Sequence, residues 1–545
     1  MIKKWQAKLD GRKWSQNKIM SEVLKERGIM NLDRFLYPVE EDLLPLEDLN
    51  NIKEAAKIFL EGISNQKKFF VYYDTDNDGI ASGTIITRYL SQLTDEANIT
   101  PYINEGKAHG LKYVAPCFSQ KYDIVIIVDS IETDTILYEE LLNMGTQIIV
   151  LDHHDLTPSV LAMQKTIHLV SSMNEYDNPN LCGAGVALKF CLYIDTLLGT
   201  NYADNYYDLA ACGICADMMS VGFDALENRY ICYRGFSEVK NKAIKKINGS
   251  YEMNSTAVSF GIAPLINAAN RMNQNWNAMK LFLSDNDEEI SDLIKGLKGC
   301  REKQNLKVNE LYSQIEEQAK EQENNKVMFF VIDDSDNMSG LLANKALGQY
   351  QKPIIITQEL TDENTGEQIY SGSLRASGVD DFSKMVNKTR YAKAMGHSNA
   401  AGFTMQKKNK EKFTKKIEEQ LASIEFEQNV VVDIQLTQKQ VDKELVAWLK
   451  KLNKISGQGF TPITVMIEDI DDYIVDSLSG GRHTKIITPY MLFIKWNSND
   501  WEFIPDDMSL SAIGTLDQSY FGKKFHLQMI MDDYRIEERI DLDEI

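Results

Sequence analysis

Continuous apolar, β-branched runs alternate with helix-forming stretches through the first half of this chain. VIIVDS at 125–130 and IIVLDHHD at 148–155 have the composition of strands buried on both faces. FFVYYDTDNDGIASG (69–83) opens in the same way, and NITPYINEG (98–106) supplies a further strand. Helical stretches such as Ile80 to Leu90 lie between them. Strands alternating with helices predict an α/β domain with a largely parallel sheet over 67–271. Residues 1–66 read as a helical lead-in, clearest in KIMSEVLKERGIMNLDRFLYP (18–38), with a packing role and no chemistry.

Beyond residue 271 the pattern changes. Ile290, Leu293, Ile294 and Leu297, then Leu306, Leu311 and Ile315, recur at near-helical spacing in a charged segment. They predict a long helix over 272–324 that joins two lobes. Its charges read as solvated face, with Arg301 the one position singled out. A smaller α/β domain follows over 325–425, starting with the strand KVMFFVID (326–333), a helix from about Ser339 and the strand PIIITQ (353–358). Residues 430–545 are β-rich: TVMIEDIDDYIVDSL, TKIITPYMLFIKW and FHLQMIMDDYRI have the β-branched and aromatic content of short strands.

Where the apolar runs stop, acids begin. Asp129 ends one strand, and Asp152, His153, His154 and Asp155 end the next. Asp74, Asp76 and Asp78 leave the first strand, with Gly79 allowing a tight turn, and Asp217 follows the apolar run in AACGICADMMS (211–221). Ligand sites in open α/β sheets lie just beyond the carboxyl ends of the strands. Clustered carboxylates are costly unless a cation neutralises them. Carboxylates with imidazole suit Mn²⁺ or a similar divalent ion, so four acidic ends with one histidine pair form a two-metal constellation.

Composition narrows the reading. The formal net charge is −21, which counts against a simple DNA-coating protein, because phosphate affinity comes from Lys and Arg. A local basic groove can coexist with an acidic exterior. Seven scattered cysteines suit reduced thiols in a cytoplasm. Cys212 and Cys215 form a CxxC, but no second cysteine pair exists for zinc, so the pair reads as ordinary helix beside Asp217. No run of eighteen apolar residues is present, and MIKKWQAKLDGRKW lacks the apolar core of a signal peptide.

With these residues in place, the chain resembles the DHH phosphoesterase superfamily and, within it, the RecJ single-strand-specific DNA exonucleases. DTDNDG (74–79), VDS (128–130), DHH (152–154) and CAD (215–217) look like the four family motifs in order. CGAGVALKF (182–190), ENR (227–229), PLINAANRM (264–272), GSLRA (372–376) and MGHSNAAG (395–402) resemble further RecJ segments. Met395 and Asn270 depart from the family pattern, as does NEGKAHGLKY (104–113), which has Asn104, Lys107 and His109 where RecJ has an arginine. GRHTKI (481–486) resembles a turn in the family's oligonucleotide-binding (OB) barrel.

The resemblance implies a parallel-sheet DHH domain whose helical lead-in caps it, a linking helix, a DHH-associated lobe and a C-terminal OB-like β-barrel. It implies two divalent ions, Mn²⁺ or Mg²⁺, about 3.5–4 Å apart. Asp76, Asp78, Asp129, His153 and Asp217 would be their ligands, with Asp129 as the bridge. Asp74 is either a ligand or a support for one. Asp152 orients its neighbours, and His154 stays off the metal to polarise the scissile phosphate or assist protonation. Adjacent side chains leave a strand on opposite faces, which separates the roles of His153 and His154.

Arg375, Ser373, Gly396, His397 and Asn399 would hold the nucleotide across a cleft too narrow for a duplex, with Arg271 and His109 as further substrate contacts. Glycines and small residues let backbone N–H groups approach a phosphate, and arginine clamps it bidentately. In the barrel, Arg482, His483 and Lys485 would line a basic groove, with Trp496, Trp501 and Tyr490 as stacking platforms. The implied activity is 5′→3′ hydrolysis of single-stranded DNA to mononucleotides, in repair, recombination or replication. The expected form is a cytoplasmic monomer that meets replication or recombination proteins and no membrane. A DHH enzyme for short oligonucleotides, nucleotides or pyrophosphate is one alternative, and a non-catalytic DNA-binding scaffold another.

Overall fold

The first strand lies where a helix is expected. In the computed structural model, Lys4–Asp10 (β1) is extended, and its exposed and half-buried residues alternate. The period of two in KWQAKLD is the readable signal for this, and it corrects the all-helical lead-in. The described residues are 4–106, 110–111, 114, 122–132, 135–333, 338–362, 365–426, 429–505, 508–521 and 524–537. Helices Gln16–Glu26 and Leu32–Leu36 follow as expected. Their Ile19, Val23 and Phe35 share a core with Ile434 and Phe493 from the C-terminal sheet and with Leu445 from helix Lys443–Asn453, which packs on it. The lead-in therefore completes that module and is more than a cap on the catalytic domain.

The central sheet is built from Phe69–Tyr73 (β2), Ile99–Ile103 (β3), Ile124–Val128 (β4), Gln147–Asp152 (β5) and Leu169–Ser171 (β6). Its order is β3-β2-β4-β5-β6, and every pairing is parallel. The residues of β2 and β4 are buried throughout, which is why both read as unbroken apolar runs. Phe70, Tyr72, Val125, Ile127, Ile148 and Val150 fill one face. Helix Asn77–Leu90 is buried at every residue but Arg88, between the sheet and helices Gly183–Leu198 and Tyr207–Ala216. A side chain at Gly83 would strike the Tyr73 ring, so glycine sets the close approach of this helix to the sheet.

Two compact units emerge. One gathers residues 268–274 and 295–429, and the other holds Trp5–Asn267, Asn275–Ile294 and Val430–Ile545. Within 272–324 the structure has two helices, Asn275–Leu283 and the long Asp287–Ala319, and the division between the units falls within the second. Ile290, Ile294, Leu297, Leu311 and Ile315 are buried along it, whereas Leu306 is exposed and does not belong to the apolar stripe.

The smaller unit carries Met328–Val331 (β7), Ile354–Thr361 (β8), Gln368–Arg375 (β9), Ala392–His397 (β10) and Ala400–Gln406 (β11), in the order β10-β11-β9-β8-β7. The C-terminal residues form Asn429–Leu436 (β12), Val465–Ile470 (β13), Ile474–Leu478 (β14), His483–Ile487 (β15), Leu492–Lys495 (β16), Ser509–Phe521 (β17) and Lys524–Glu537 (β18). With β1 they make one eight-stranded sheet, β1-β12-β13-β17-β18-β16-β15-β14. A β-rich module is there as expected. Among the described residues its strand order runs from β1 at one end to β14 at the other. The N-terminal strand adds to one end, which no reading of 430–545 alone could supply.

Candidate active site at the carboxyl rim of the parallel sheet

All five strands of the central sheet end on one side, and the acids follow them there. Asp74 comes directly after β2, Asp129 directly after β4, and Asp152 closes β5. Asp76 caps the helix that begins at Asn77 by accepting from the Gly79 N–H at 3.0 Å. The Asp78 carboxylate accepts from two amides at the start of helix Gly183–Leu198, Gly183 at 2.7 Å and Ala184 at 3.1 Å. A helix N-terminus offers both donors and a favourable dipole to an anion. Asp217 ends helix Tyr207–Ala216.

These ends converge. His153 Nε2 lies 3.1 Å from Asp129 Oδ1, 3.5 Å from Asp217 Oδ2 and 3.9 Å from Asp78 Oδ2. Three overlapping groups could each hold a metal ion: Asp74, Asp76 and Asp129; Asp78, His153 and Asp217; and Asp129, His153 and His154. Asp129 belongs to two of them. Its Oδ1 is buried and accepts no hydrogen bond, and its backbone takes the left-handed φ of 54° that side chains rarely adopt. A Cβ on Gly183 would come within 2.7 Å of that oxygen, and one on Gly213 would strike the Asp78 carboxylate. The two glycines thus let helix backbones close around the acids.

Electrostatics register the crowding. Burial first, and then the charges of Asp78, Asp76, Asp74 and Asp152, push the Asp129 carboxyl well above its ordinary range. Burial with Asp78 and Asp76 pushes Asp217 up to about 8. Burial also raises Asp152, but the hydrogen bond and charge of His154 override it and leave this carboxyl lowered. Asp152 accepts from the His154 backbone N–H at 2.6 Å and lies 3.3 Å from the ring Nδ1. His154 is pushed up to about 9 by this partner. Its side chain is half exposed, whereas that of His153 is nearly buried. The two rings lie 4.6 Å apart, centre to centre. The expected opposite faces are not found, because β5 ends at Asp152 and strand alternation ends with it. What separates the two histidines is Asp152, which holds only the second.

The other candidates fall elsewhere. His109 and Lys107 lie outside the described residues. Asn104 is buried and donates to the Tyr72 hydroxyl at 2.8 Å. In the smaller unit, Arg375 donates through Nε to Asn344 Oδ1 at 2.9 Å and through Nη1 to the Leu374 carbonyl, and Ser373 pairs with Ser339 at 3.0 Å. Gly396 takes a φ of 128°, which requires glycine, on the backbone that ends at His397; the His397 side chain lies outside the described residues. Asn399 donates to the Val379 carbonyl and accepts from Phe382 N–H, so its amide is used in holding its own turn. Arg271 sits at the end of helix Ala263–Arg271, where burial lowers its pKa.

On the C-terminal sheet, Lys485 is paired with Asp476 at 2.6 Å, Arg482 donates to the Ser479 carbonyl, and His483 packs on Trp496. Trp501 donates to the Gly481 carbonyl at 3.2 Å. Tyr490 is at the other end of β16 from Trp496, so the expected platforms do not form one surface. Cys212 is buried in its helix, in keeping with the ordinary reading of the CxxC.

Sequence reasoning also missed a support. Lys189 is fully buried and donates to Glu227 at 2.5 Å, to the Leu44 carbonyl at 2.6 Å and to the Tyr176 hydroxyl. Arg229 donates to the carbonyls of Phe35, Val221 and Ile455, and burial lowers its pKa to about 9. The sequence signals for these residues are the family-like segments CGAGVALKF, which holds Lys189, and ENR, which holds Glu227 and Arg229.

Residues 68–214, which hold this sheet and most of its rim, match the model of the DHH family, N-terminal domain. More particularly, the chain is homologous to RecJ-type proteins. It is 29% identical over 524 residues to the SPbeta prophage-derived candidate single-strand DNA-specific exonuclease YorK of Bacillus subtilis (strain 168), covering 89% of this chain and 88% of the relative. It is 26% identical over 380 residues to the single-stranded-DNA-specific exonuclease RecJ of Thermus thermophilus, covering 67% of this chain and 54% of that one. The solved structure of Thermus thermophilus RecJ in complex with Mn²⁺ superposes with a TM-score of 0.75 at 21% identity. The match covers 98% of this chain and 80% of that chain, and it shows the shared fold. Among the described residues, no helix is long and apolar enough to cross a membrane.

Proposed function

We propose that this protein is a metal-dependent exonuclease that hydrolyses single-stranded DNA in the 5′→3′ direction and releases mononucleotides. The observation that carries the reading is the convergence of Asp74, Asp76, Asp78, Asp129, His153 and Asp217 on one sheet rim, in a chain homologous to named single-strand DNA exonucleases over most of its length. The donor set fits divalent cations. Asp129 Oδ1 is buried without a hydrogen bond, and the crowded carboxyls of Asp129 and Asp217 resist ionisation until positive charge compensates them. Carboxylate oxygens and one imidazole suit Mn²⁺ or Mg²⁺.

Asp76, Asp78, Asp129, His153 and Asp217 would hold two such ions, with Asp74 supporting Asp76 and Asp129. Bound there, the ions would supply Lewis-acid stabilisation of the phosphodiester and a nucleophile at neutral pH. The chain's own groups do the rest. Asp152 fixes the His154 ring through Nδ1 and keeps it protonated near neutral pH. The half-exposed outer side of that ring is left to neutralise a non-bridging oxygen and to give a proton to the departing 3′-oxygen. Arg375 and Ser373, with Gly396 and His397, are assigned to the nucleotide phosphate. A cytoplasmic monomer working beside replication or recombination proteins is part of the same reading.

The test uses 5′-labelled and 3′-labelled single-stranded DNA with Mn²⁺, comparing wild type with Asp129→Ala. Immediate release of the 5′ label as mononucleotide, lost in the variant, is the expected result. Turnover of short oligonucleotides or free nucleotides without digestion of long strands would move the protein to the small-substrate branch. Oligonucleotide binding with no hydrolysis in any divalent metal would make it a scaffold.

A further inference from the structure

The long ribbon β17–β18 outruns its core. Leu516 and Met529 face each other across it and are buried in the core of the C-terminal module. Two residues further out, Gln518 pairs with Leu527, which is half-buried against the same core. The next pair on that face is Tyr520 with Phe525, and these are 75% and 37% exposed. Residues two apart on a strand share a face, so the apolar face continues into solvent as two aromatic rings with no core beneath them.

The neighbouring strand brings a third ring. β16 runs parallel to β18 with Leu492 opposite Gln528, so Tyr490 falls at the ribbon's outer end, and it is 48% exposed. Lysines interleave with these rings. Lys443 Nζ lies 4.6 Å from the centre of the Phe525 ring, and Lys439 Nζ lies 6.0 Å from that of Tyr490. Lys524 is exposed on the ribbon itself. The nearby acids Asp442 and Asp517 are engaged: Asp442 with Gln16 and the start of helix Lys443–Asn453, and Asp517 with Lys450 and Gln528. Glu444 follows Lys443 on the same helix.

We infer that this outer end, formed by Tyr490, Tyr520, Phe525, Lys439 and Lys443, is a contact for an unpaired nucleic-acid strand. Exposed rings stack bases of any sequence, and the lysines answer the phosphates between them. In a chain of net charge −21, cations placed among bare aromatic rings are the arrangement expected where a polyanion with flat apolar faces must be held. The site lies at the opposite end of β15 and β16 from Arg482, His483 and Trp496. It would hold strand that the rim has not yet reached, so its contribution grows with substrate length. This deepens the proposed exonuclease reading, and part of its test needs no hydrolysis.

The experiment compares wild type with Tyr520→Ser/Phe525→Ser and with Lys443→Ala, all surface changes. Fluorescence anisotropy with labelled oligo-dT of about 30 nucleotides, in EDTA, reads binding alone. Stacking is worth about 1–3 kcal/mol per base, so the double variant should bind about ten-fold more weakly or worse. Lys443→Ala should flatten the salt dependence by about 0.7 in log–log slope. Digestion with Mn²⁺ should show KM raised on the long strand and unchanged on a strand of about six nucleotides, with kcat unchanged on both. Wild-type binding and salt slope in both variants would overturn the inference, as would equal losses on long and short strands. Weakened binding in the variants of a wild type that digests nothing would uphold the contact and sink the exonuclease reading.

Discussion

The parallel sheet and the C-terminal sheet handle their strand ends in opposite ways. In the parallel sheet every strand delivers its carboxyl end to the same rim, so DTDNDG, VDS and DHH meet although they are far apart in the chain. In the C-terminal sheet β14, β15 and β16 alternate in direction. His483 and Tyr490, seven positions apart in sequence, therefore end at opposite edges of the module. Motifs at strand ends can be added together in a parallel sheet. Where neighbouring strands alternate in direction they must first be sorted, and Tyr490 lies at the other end of β16 from Trp496.

Substitutions can break this contrast at either end. The largest effect is expected from Asp129→Ala, which removes the residue shared by two acid groups. Losing several kcal/mol of transition-state stabilisation should lower Mn²⁺-dependent hydrolysis by about a thousand-fold, measured under single-turnover conditions. A residual rate near wild type would show that the rim is not the reaction centre. Lys189→Met leaves Glu227 buried without its cation. Breaking a buried pair from one side costs about 3–5 kcal/mol, seen as a lower urea midpoint at unchanged m-value.

Gly183→Ala tests the close approach itself. The new methyl must displace Asp129 or the helix start that holds Asp78, and a supporting change of this kind should cost about ten- to a hundred-fold in Mn²⁺ affinity or rate. Circular dichroism should show the fold intact. At the quiet end, Lys485→Ala removes a cation already paired with Asp476 on the surface. Its effect on stability should be about 1 kcal/mol or less, and it should weaken oligonucleotide binding less than Lys443→Ala does. A larger loss from Lys485→Ala would restore the β15 turn as the principal contact.

Much of the site was legible because its chemistry is written at strand ends. The runs before Asp74, Asp129 and Asp152 are too apolar for anything but a buried parallel sheet, and acids placed just after such strands have one rim to occupy. The two histidines were only half legible. Alternation predicted opposite faces, yet the strand stops one residue before His153, and Asp152 separates their roles by hydrogen bonding to His154 alone. β1 has a legible signal, the period-two alternation of KWQAKLD, but it is short and lies beside a much stronger helical pattern at 18–38.

By itself the sequence determined the parallel sheet, the acids at its rim, the long helix and the β-rich C-terminus, because each rests on local periodicity or on a residue's place relative to a strand end. Tertiary structure alone decided the rest. It joined Lys4–Asp10 to the C-terminal sheet and buried Lys189 against Glu227. It also held Asp78 on the amides of Gly183 and Ala184, and paired Lys485 with Asp476 while leaving Lys443 over an exposed ring. Each of these depends on a partner distant in the chain or on the direction in which a strand runs, and neither quantity has a period that a one-dimensional pattern can carry.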